Sequence, residues 1–383
     1  MPRTKKQMNT ALFNILIEYA ASLNEIILDS DKARYIAKRT DEDSALLSDA
    51  SLESLLIGRR IRLVKISHEE QLYFCLFGIP SVEVSPTGME SINLTPALLT
   101  CAVLEAKISP IATGFGVKDA IEADFIGVQG YNGHALEKIV ELFPPMLAFE
   151  GANNYEYQHD LQRVIGSFLA RSLDNQQIDL EQNTVVSLID FFEANSTYIP
   201  FGILARSLIS ITWEGLFLDL YRCIEQIYSC IKVSALREDW DSSRPVRQLA
   251  ELLELHLAWR PKEDEAFGSI LEKCDPSLIR QACALLNLPL EETAIESGVK
   301  VLRPRSDDKL AKSVAKKLYG IRNNLVHYRP VNEIINKSDQ EWNATIRLML
   351  ALVHEAYEIF GPVFFEEKKV DASSELESEP HHL

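Results

Sequence analysis

The chain has 383 residues, 46% of them apolar, which suits more than one packed core and excludes a largely disordered protein. Its net charge of −17 repels a phosphate backbone and excludes a general nucleic-acid coat. Six cysteines (Cys75, Cys101, Cys223, Cys230, Cys274 and Cys283) form no C-x-x-C pair and stand at no metal-finger spacing from a histidine, so thiols packed in a reducing compartment are expected, with no metal and no cofactor.

In chain order, the pattern opens on a helix. Arg3, Lys5 and Lys6 precede an apolar stretch from Ala11 to Ala21, but Asn14 and Glu18 interrupt it, and the rhythm continues through Leu23, Ile26, Ile27 and Leu28. This reads as an amphipathic helix capped by Asn9 or Thr10, not as a cleaved signal. No run approaches the roughly 18 apolar residues of a membrane span, so a cytoplasmic protein without a membrane partner is expected. Residues 1–60 read as helical, with Ser51-Leu52-Glu53-Ser54-Leu55-Leu56 ending a later helix. Alternation in Ile61-Arg62-Leu63-Val64-Lys65-Ile66, a turn at His68-Glu69-Glu70, and Leu72-Tyr73-Phe74-Cys75-Leu76-Phe77 predict a β-hairpin. Val82-Glu83-Val84 and Ile92-Asn93-Leu94 predict two more short strands. Residues 97–107 and 134–144 read as helices, joined by a connection holding Gly114, Gly116, Gly127 and Gly130. Residues 1–150 are therefore an expected α+β module.

Phe143-Pro144-Pro145 and Gly151-Ala152-Asn153-Asn154 mark a break. Residues 151–204 read as a helical connector with helices over 158–173 and 182–195, punctuated by Pro200 and Gly202. From 205 to 365 the pattern is helical almost throughout. Trp213, Leu216, Phe217, Leu220, Tyr221, Ile224, Ile227 and Tyr228 recur three and four apart, and Leu249, Leu252, Leu253, His256 and Leu257 do so after Pro245. Residues 277–286 form a shorter helix, and Ser306 caps one running through Leu310, Val314, Leu318 and Ile321. The last carries Trp342, Ile346, Met349, Val353, Tyr357 and Phe360 and closes at Gly361-Pro362. Short connections make these an antiparallel bundle. Residues 366–383 are an acidic tail whose composition predicts disorder. The fold class expected is mainly α, with the α+β module followed by the helical bundle.

Charge is unevenly placed. Within 301–330, Arg303, Arg305, Lys309, Lys312, Lys316, Lys317, Arg322 and Arg329 face only Asp307 and Asp308, so this segment carries +6 and the rest of the chain −23. Such an island is either the solvated face of a helix or a phosphate-attracting surface. Arg322 and His327 lie inside it. Five residues turn an ideal helix by roughly 500°, leaving those side chains about 140° apart. They converge only if the helix ends or bends between them. Gly320, Pro330 and the weak helix formers Asn323 and Asn324 permit that.

Ile321-Arg322-Asn323-Asn324-Leu325-Val326-His327 resembles the signature of the HEPN superfamily, an arginine followed by four to six residues and a histidine, often with a polar residue after the arginine. The resemblance covers roughly residues 205–365. It implies a HEPN-like bundle and a metal-independent endoribonuclease that works as a homodimer or even-numbered oligomer, in which two copies of an incomplete half-site complete each other. His327 would move protons between the ribose 2′-OH and the leaving oxygen, Arg322 would hold the scissile phosphate, and Asn323 would orient one of them. Lys316, Lys317 and Arg329 would attract the RNA backbone without reading bases. Glu225, on the helix resembling the family's first bundle helix, and Asn324 would support the site. By the same analogy residues 1–150 would sense a phage-derived trigger or bind a regulatory partner, and the chain would be a toxin in antiviral defence. The other reading is a catalytically silent HEPN-like module for dimerisation or for nucleotide or partner binding. Tyr328 stands one place after the histidine, whereas the family's modified tyrosine stands two places after it.

Other candidates are bland. Gly114-Phe115-Gly116 lacks a third glycine, and there is neither a phosphate loop nor a nucleophile elbow. His134, His159 and Asp160 read as exposed or locally bonded side chains, and His256 and His354 as core or interface histidines. Cys223 and Cys230 fall two turns apart on one helix face, too far for a disulfide.

Overall fold

The computed structural model describes residues 4–28, 33–37, 40–58, 60–123, 131–172, 178–194, 198–209, 212–239, 263–296, 299–327 and 337–365, with the single positions 196, 252 and 255. The protein is mainly α, with an α+β module at its N-terminal end. It divides into two compact units, Met1–Asn195 with Phe201–Leu216, and Ser196–Pro200 with Phe217–Leu383. Of residues 151–204, read from the sequence as a connector, 151–195 and 201–204 lie within the first unit and 196–200 within the second.

The first unit is built on an antiparallel sheet of order β1-β2-β3-β5-β4, with β1 Ser51–Ile57, β2 Ile61–His68, β3 Gln71–Phe77, β4 Met89–Ile92 and β5 Met146–Gly151. The expected β2–β3 hairpin forms and turns at Glu69, which takes φ 52°, with both faces of its strands buried at their centres. Because side chains alternate across a strand, Val64, Ile66, Tyr73, Cys75, Phe77 and Ala148 share one face. That face forms one core with helices α1 (Lys5–Ser22), α2 (Asp41–Asp49) and α3 (Pro96–Glu105). On the opposite face Phe149 meets Phe168 of α6 (Leu161–Arg171) with ring centroids 4.8 Å apart. Helices α4 (Gly114–Glu122) and α5 (Leu136–Val140) precede β5, and α7 (Gln182–Glu193) and α8 (Phe201–Ser207) follow α6. Gly166 lets α6 and α7 close up, since a Cβ there would collide with the Phe192 ring.

A buried ion pair joins α6 to α7. Arg171 Nη1 lies 2.7 Å from Glu193 Oε1, with side chains only 8% and 11% exposed. The Ser167 hydroxyl also donates to Glu193 Oε1. Burial opposes the charged form of Glu193, but hydrogen bonds from Ser167 and the Thr87 backbone, together with Arg171, outweigh it and hold the carboxyl below the usual glutamate range.

Several local expectations are overturned here. Residues 51–57 form the edge strand β1, not a helix end, because they pair with β2 from Ile57↔Ile61 to Ser51↔Ser67. Thr4, not Asn9 or Thr10, caps α1 through a capping box with Gln7. Val82-Glu83-Val84 is not a strand, and the partner of β4 is β5, in a stretch read as a break. Gly114 and Gly116 open a helix capped by Thr113, whose hydroxyl accepts the Gly116 N–H at 3.1 Å. Gly127 and Gly130 lie outside the described residues.

The described residues of the second unit form a helical assembly with one hairpin. Its helices are the larger part of α9 (Trp213–Gln226), then α10 (Cys230–Asp239), α11 (Glu263–Leu271), α12 (Pro276–Leu285), α13 (Asp307–Val326) and α14 (Asp339–Phe365). The hairpin pairs β6 (Glu291–Glu296) with β7 (Val299–Pro304), where the sequence read almost continuous helix. Leu220, Tyr221, Phe267, Val314, Leu318, Met349 and Tyr357 are fully buried among these elements. Tyr221 meets Phe267 edge-on at 5.5 Å, and the Tyr357 hydroxyl donates to the Cys223 carbonyl at 2.9 Å. Helix α14 runs through Pro362 to Phe365, past the expected stop, and Phe365 stacks on Tyr357 with centroids 6.2 Å apart. By length and composition alone α14 could cross a membrane, but half of its apolar stretch is buried inside the protein as in a core helix. The leucine-rich segment with His256 and the acidic tail 366–383 lie outside the described residues, save the helical positions Leu252 and Leu255.

Candidate functional site

Helix α13 carries the motif. Its stripe of Leu310, Ala311, Val314, Ala315, Leu318 and Ile321 is buried, which turns Lys316 and Lys317 outward, both exposed. Ser306 occupies the N-cap position without a side-chain cap bond. At the other end the helix stops after Val326. His327 is the C-cap residue, with extended backbone (φ −111°, ψ 98°), and its N–H donates to the Asn323 carbonyl at 2.9 Å. The helix runs without a break from Arg322 through Val326 and stops only directly before the histidine, so it neither ends nor bends early enough to cancel the rotation between the two residues. His327 and Asn324 are exposed.

Arg322 is held from several sides. Its Nη2 donates to Glu225 Oε1 at 3.1 Å, reaching across to α9, and its Nη1 donates to Asn323 Oδ1 at 3.0 Å. Glu263 Oε2, at the first residue of α11, lies 3.6 Å from the same Nη1. The guanidinium side chain is 19% exposed, against 28% for Glu225 and 43% for Glu263. Beneath them lies a phenol pair, in which the Tyr228 hydroxyl donates to the Tyr221 hydroxyl at 2.7 Å. Burial, reinforced by Glu225 and Glu263, pushes both phenols well above the ordinary tyrosine range, so both stay neutral donors near neutral pH.

The basic island is partly neutralised. Lys309 pairs with Glu292 at 2.6 Å, Lys312 with Glu272 at 3.0 Å, and Asp307 with Arg280 at 2.8 Å. Lys316 and Lys317 have no acidic partner among the described residues, and Lys317 lies near Lys337 of the same unit. Burial, with a smaller contribution from Lys317, outweighs Glu341 and keeps Lys337 below the usual lysine range. Arg329 and Tyr328 lie outside the described residues. Of the residues expected at the site, Arg322 thus contacts both Asn323 and Glu225. His327 stands at the same helix end, and Lys316 and Lys317 lie one to two turns back. Glu263 was not foreseen. Its signal was the acidic first turn Glu263-Asp264-Glu265 after Pro261, which marks a helix start but not its contact.

Chemically this is one fixed guanidinium able to meet an anion, on a helix whose C-cap residue, His327, is exposed. Among the described residues no group of three or more His, Cys, Asp or Glu side chains could hold a metal ion, and the six cysteines are buried thiols, none in a disulfide. His134 is fully buried, with its ring 5.0 Å from Phe13 and 5.4 Å from Tyr131, so of the two expected alternatives, exposed or locally bonded, the exposed one is overturned. His159 is exposed, with Nε2 3.3 Å from the Asn153 carbonyl, and Asp160 caps α6. A cleft of about 950 Å³ in the first unit is lined by Glu70, Glu90, Glu150, Asn153, Asn154 and Tyr155, a surface that disfavours nucleic acid. Comparison with protein-family models, with curated proteins and with solved structures finds no match for this chain.

Proposed function

We propose that the chain is a metal-independent endoribonuclease of the HEPN type, acting as a homodimer on RNA inside the cell. The observation that carries this reading is the anchored Arg322, fixed by Glu225 and Asn323 at the end of α13, with His327 exposed at that end. RNA brings its own nucleophile. The 2′-OH attacks the adjacent phosphorus, one imidazole removes its proton, and the bond to the 5′ oxygen breaks as a second imidazole protonates the leaving group. Charge growing on the phosphoryl oxygens is met by Arg322. One half-site supplies one imidazole and one guanidinium, so the full division of labour requires two copies across a two-fold axis. Lys316 and Lys317 add backbone attraction without base readout. In this reading residues 1–150 carry the trigger-sensing or regulatory role and the chain is a toxin of antiviral defence.

Incubating purified wild-type and His327→Ala protein with structured and single-stranded RNAs in EDTA tests it. Cleavage by the wild type alone supports the enzyme; equal products from both overturn it. One observation favours the silent-module reading. The guanidinium already faces two carboxylates, an arrangement that suits a structural ion pair as well as a phosphate site. In that case neither protein cuts RNA, in the test tube or in phage-challenged cells, and Arg322→Ala weakens self-association instead.

A further inference from the structure

We infer that Glu263 is an intramolecular stand-in for substrate phosphate, a latch set against Arg322 Nη1 that must leave before an anion binds. The inference rests on the reading of Arg322 as the phosphate contact and adds how that contact is controlled. Three observations carry it.

The first is geometry. Glu225 and Asn323 take hydrogen bonds from the guanidinium at 3.1 and 3.0 Å, whereas Glu263 Oε2 stands off at 3.6 Å, beyond hydrogen-bond range. The second is satisfaction. That oxygen is shielded from solvent and has no hydrogen-bond partner among the described residues, so the closed position leaves a charged acceptor unfulfilled. The third is charge. One guanidinium faces two carboxylates, a formal excess of one negative charge at the position where a phosphate would enter. An incoming phosphate is repelled until one carboxylate withdraws.

Glu263 is the one positioned to withdraw. It is the more exposed of the two, and it is the first residue of α11. In that first turn, with Asp264 and Glu265, the backbone N–H groups offer a carboxylate another favourable position. Glu225 lies inside α9, is less exposed and already makes a hydrogen bond, so it stays. The closed state therefore stores Arg322 in the right orientation while keeping RNA affinity low, and anything that turns the start of α11 outward opens the site.

Binding of an uncleavable 2′-O-methyl oligoribonucleotide to the full chain, followed by fluorescence anisotropy at fixed salt, tests the latch without relying on catalysis. Glu263→Gln is expected to tighten binding by roughly three- to tenfold, and Asp264→Asn, which removes equal charge from the next position, by less than about twofold. In an Arg322→Ala background Glu263→Gln is expected to change nothing. Equal effects of the two charge removals, or tightening that persists without Arg322, would overturn the latch. Should Glu263→Gln fail to fold, Glu263→Asp draws the carboxylate back by one methylene and is expected to tighten binding in the same direction; no change sinks the idea. Arg322→Ala separates the two claims. If it binds as the wild type does, the phosphate-site reading itself falls; if it binds more weakly while Glu263→Gln binds no tighter, only the latch falls.

Discussion

Glu225 Oε1 and Arg322 Nη2 lie 3.1 Å apart although the two residues are 97 positions apart in the chain. This contact ties α9 to the last turns of α13, while the other nitrogen of the guanidinium stays bonded to Asn323 of its own helix. Both side chains are mostly buried, so the bond fixes orientation more than a surface pair does. Glu225→Gln keeps an acceptor but removes the charge. It is expected to lower the cleavage rate by about tenfold, and Glu225→Ala by about a hundredfold, as the freed guanidinium loses its aim. Single-turnover cleavage, with circular dichroism to confirm folding, checks this; wild-type rates in Glu225→Ala would remove Glu225 from the site.

Lys316 and Lys317 give a prediction of a different kind. They are exposed cations without acidic partners among the described residues, and in the proposed function they meet RNA through the phosphate field alone. Lys316→Ala/Lys317→Ala is expected to weaken binding equally for unrelated RNA sequences and to reduce the salt slope of log affinity by roughly one to two. Saturated single-turnover rates are expected to stay within about twofold. A sequence-dependent loss would show that these lysines read more than backbone.

The first unit makes a pH prediction. Glu193 has its folded pKa lowered, so its contribution to stability is present above the unfolded glutamate pKa, near about 4.3, and is lost as pH falls through the lower folded value. Glu193→Gln leaves Arg171 buried beside a neutral amide and is expected to cost roughly 2–4 kcal/mol at pH 7. The difference from wild type shrinks on acidification below about pH 4, where the wild type loses the same charge. Urea denaturation at pH 7 and at pH 3.5 measures both; a gap that does not narrow contradicts the assignment.

How much of this was legible in sequence follows from how local each signal is. The β2–β3 hairpin was readable because two runs rich in β-branched and aromatic residues flank a polar turn, and Glu69 adopts the left-handed conformation that closes it. The strand Ser51–Ile57 was not, because Leu52, Leu55 and Leu56 fit a helical spacing as well, and only pairing with β2 decides. The strand Met146–Gly151 was hidden by its flanking prolines and glycine, and the β6–β7 hairpin by a setting that is otherwise helical. At the site, Arg322, Asn323 and His327 were found by spacing within one segment. Glu225 was reached only through a family resemblance. Glu263 was missed, since contacts between distant helices leave no periodic trace in the chain.

The account depends on Arg322 and His327 acting together on one sugar–phosphate link. The most direct measurement is the initial rate of RNA cleavage in EDTA by the wild type, Arg322→Ala and His327→Ala, run in parallel with growth of phage-challenged cells expressing each. The account predicts cleavage that survives EDTA and falls at least about a hundredfold in each variant with folding intact, and growth arrest by the wild type alone. Undiminished cleavage by His327→Ala, or no cleavage and no arrest by the wild type under either condition, would contradict it.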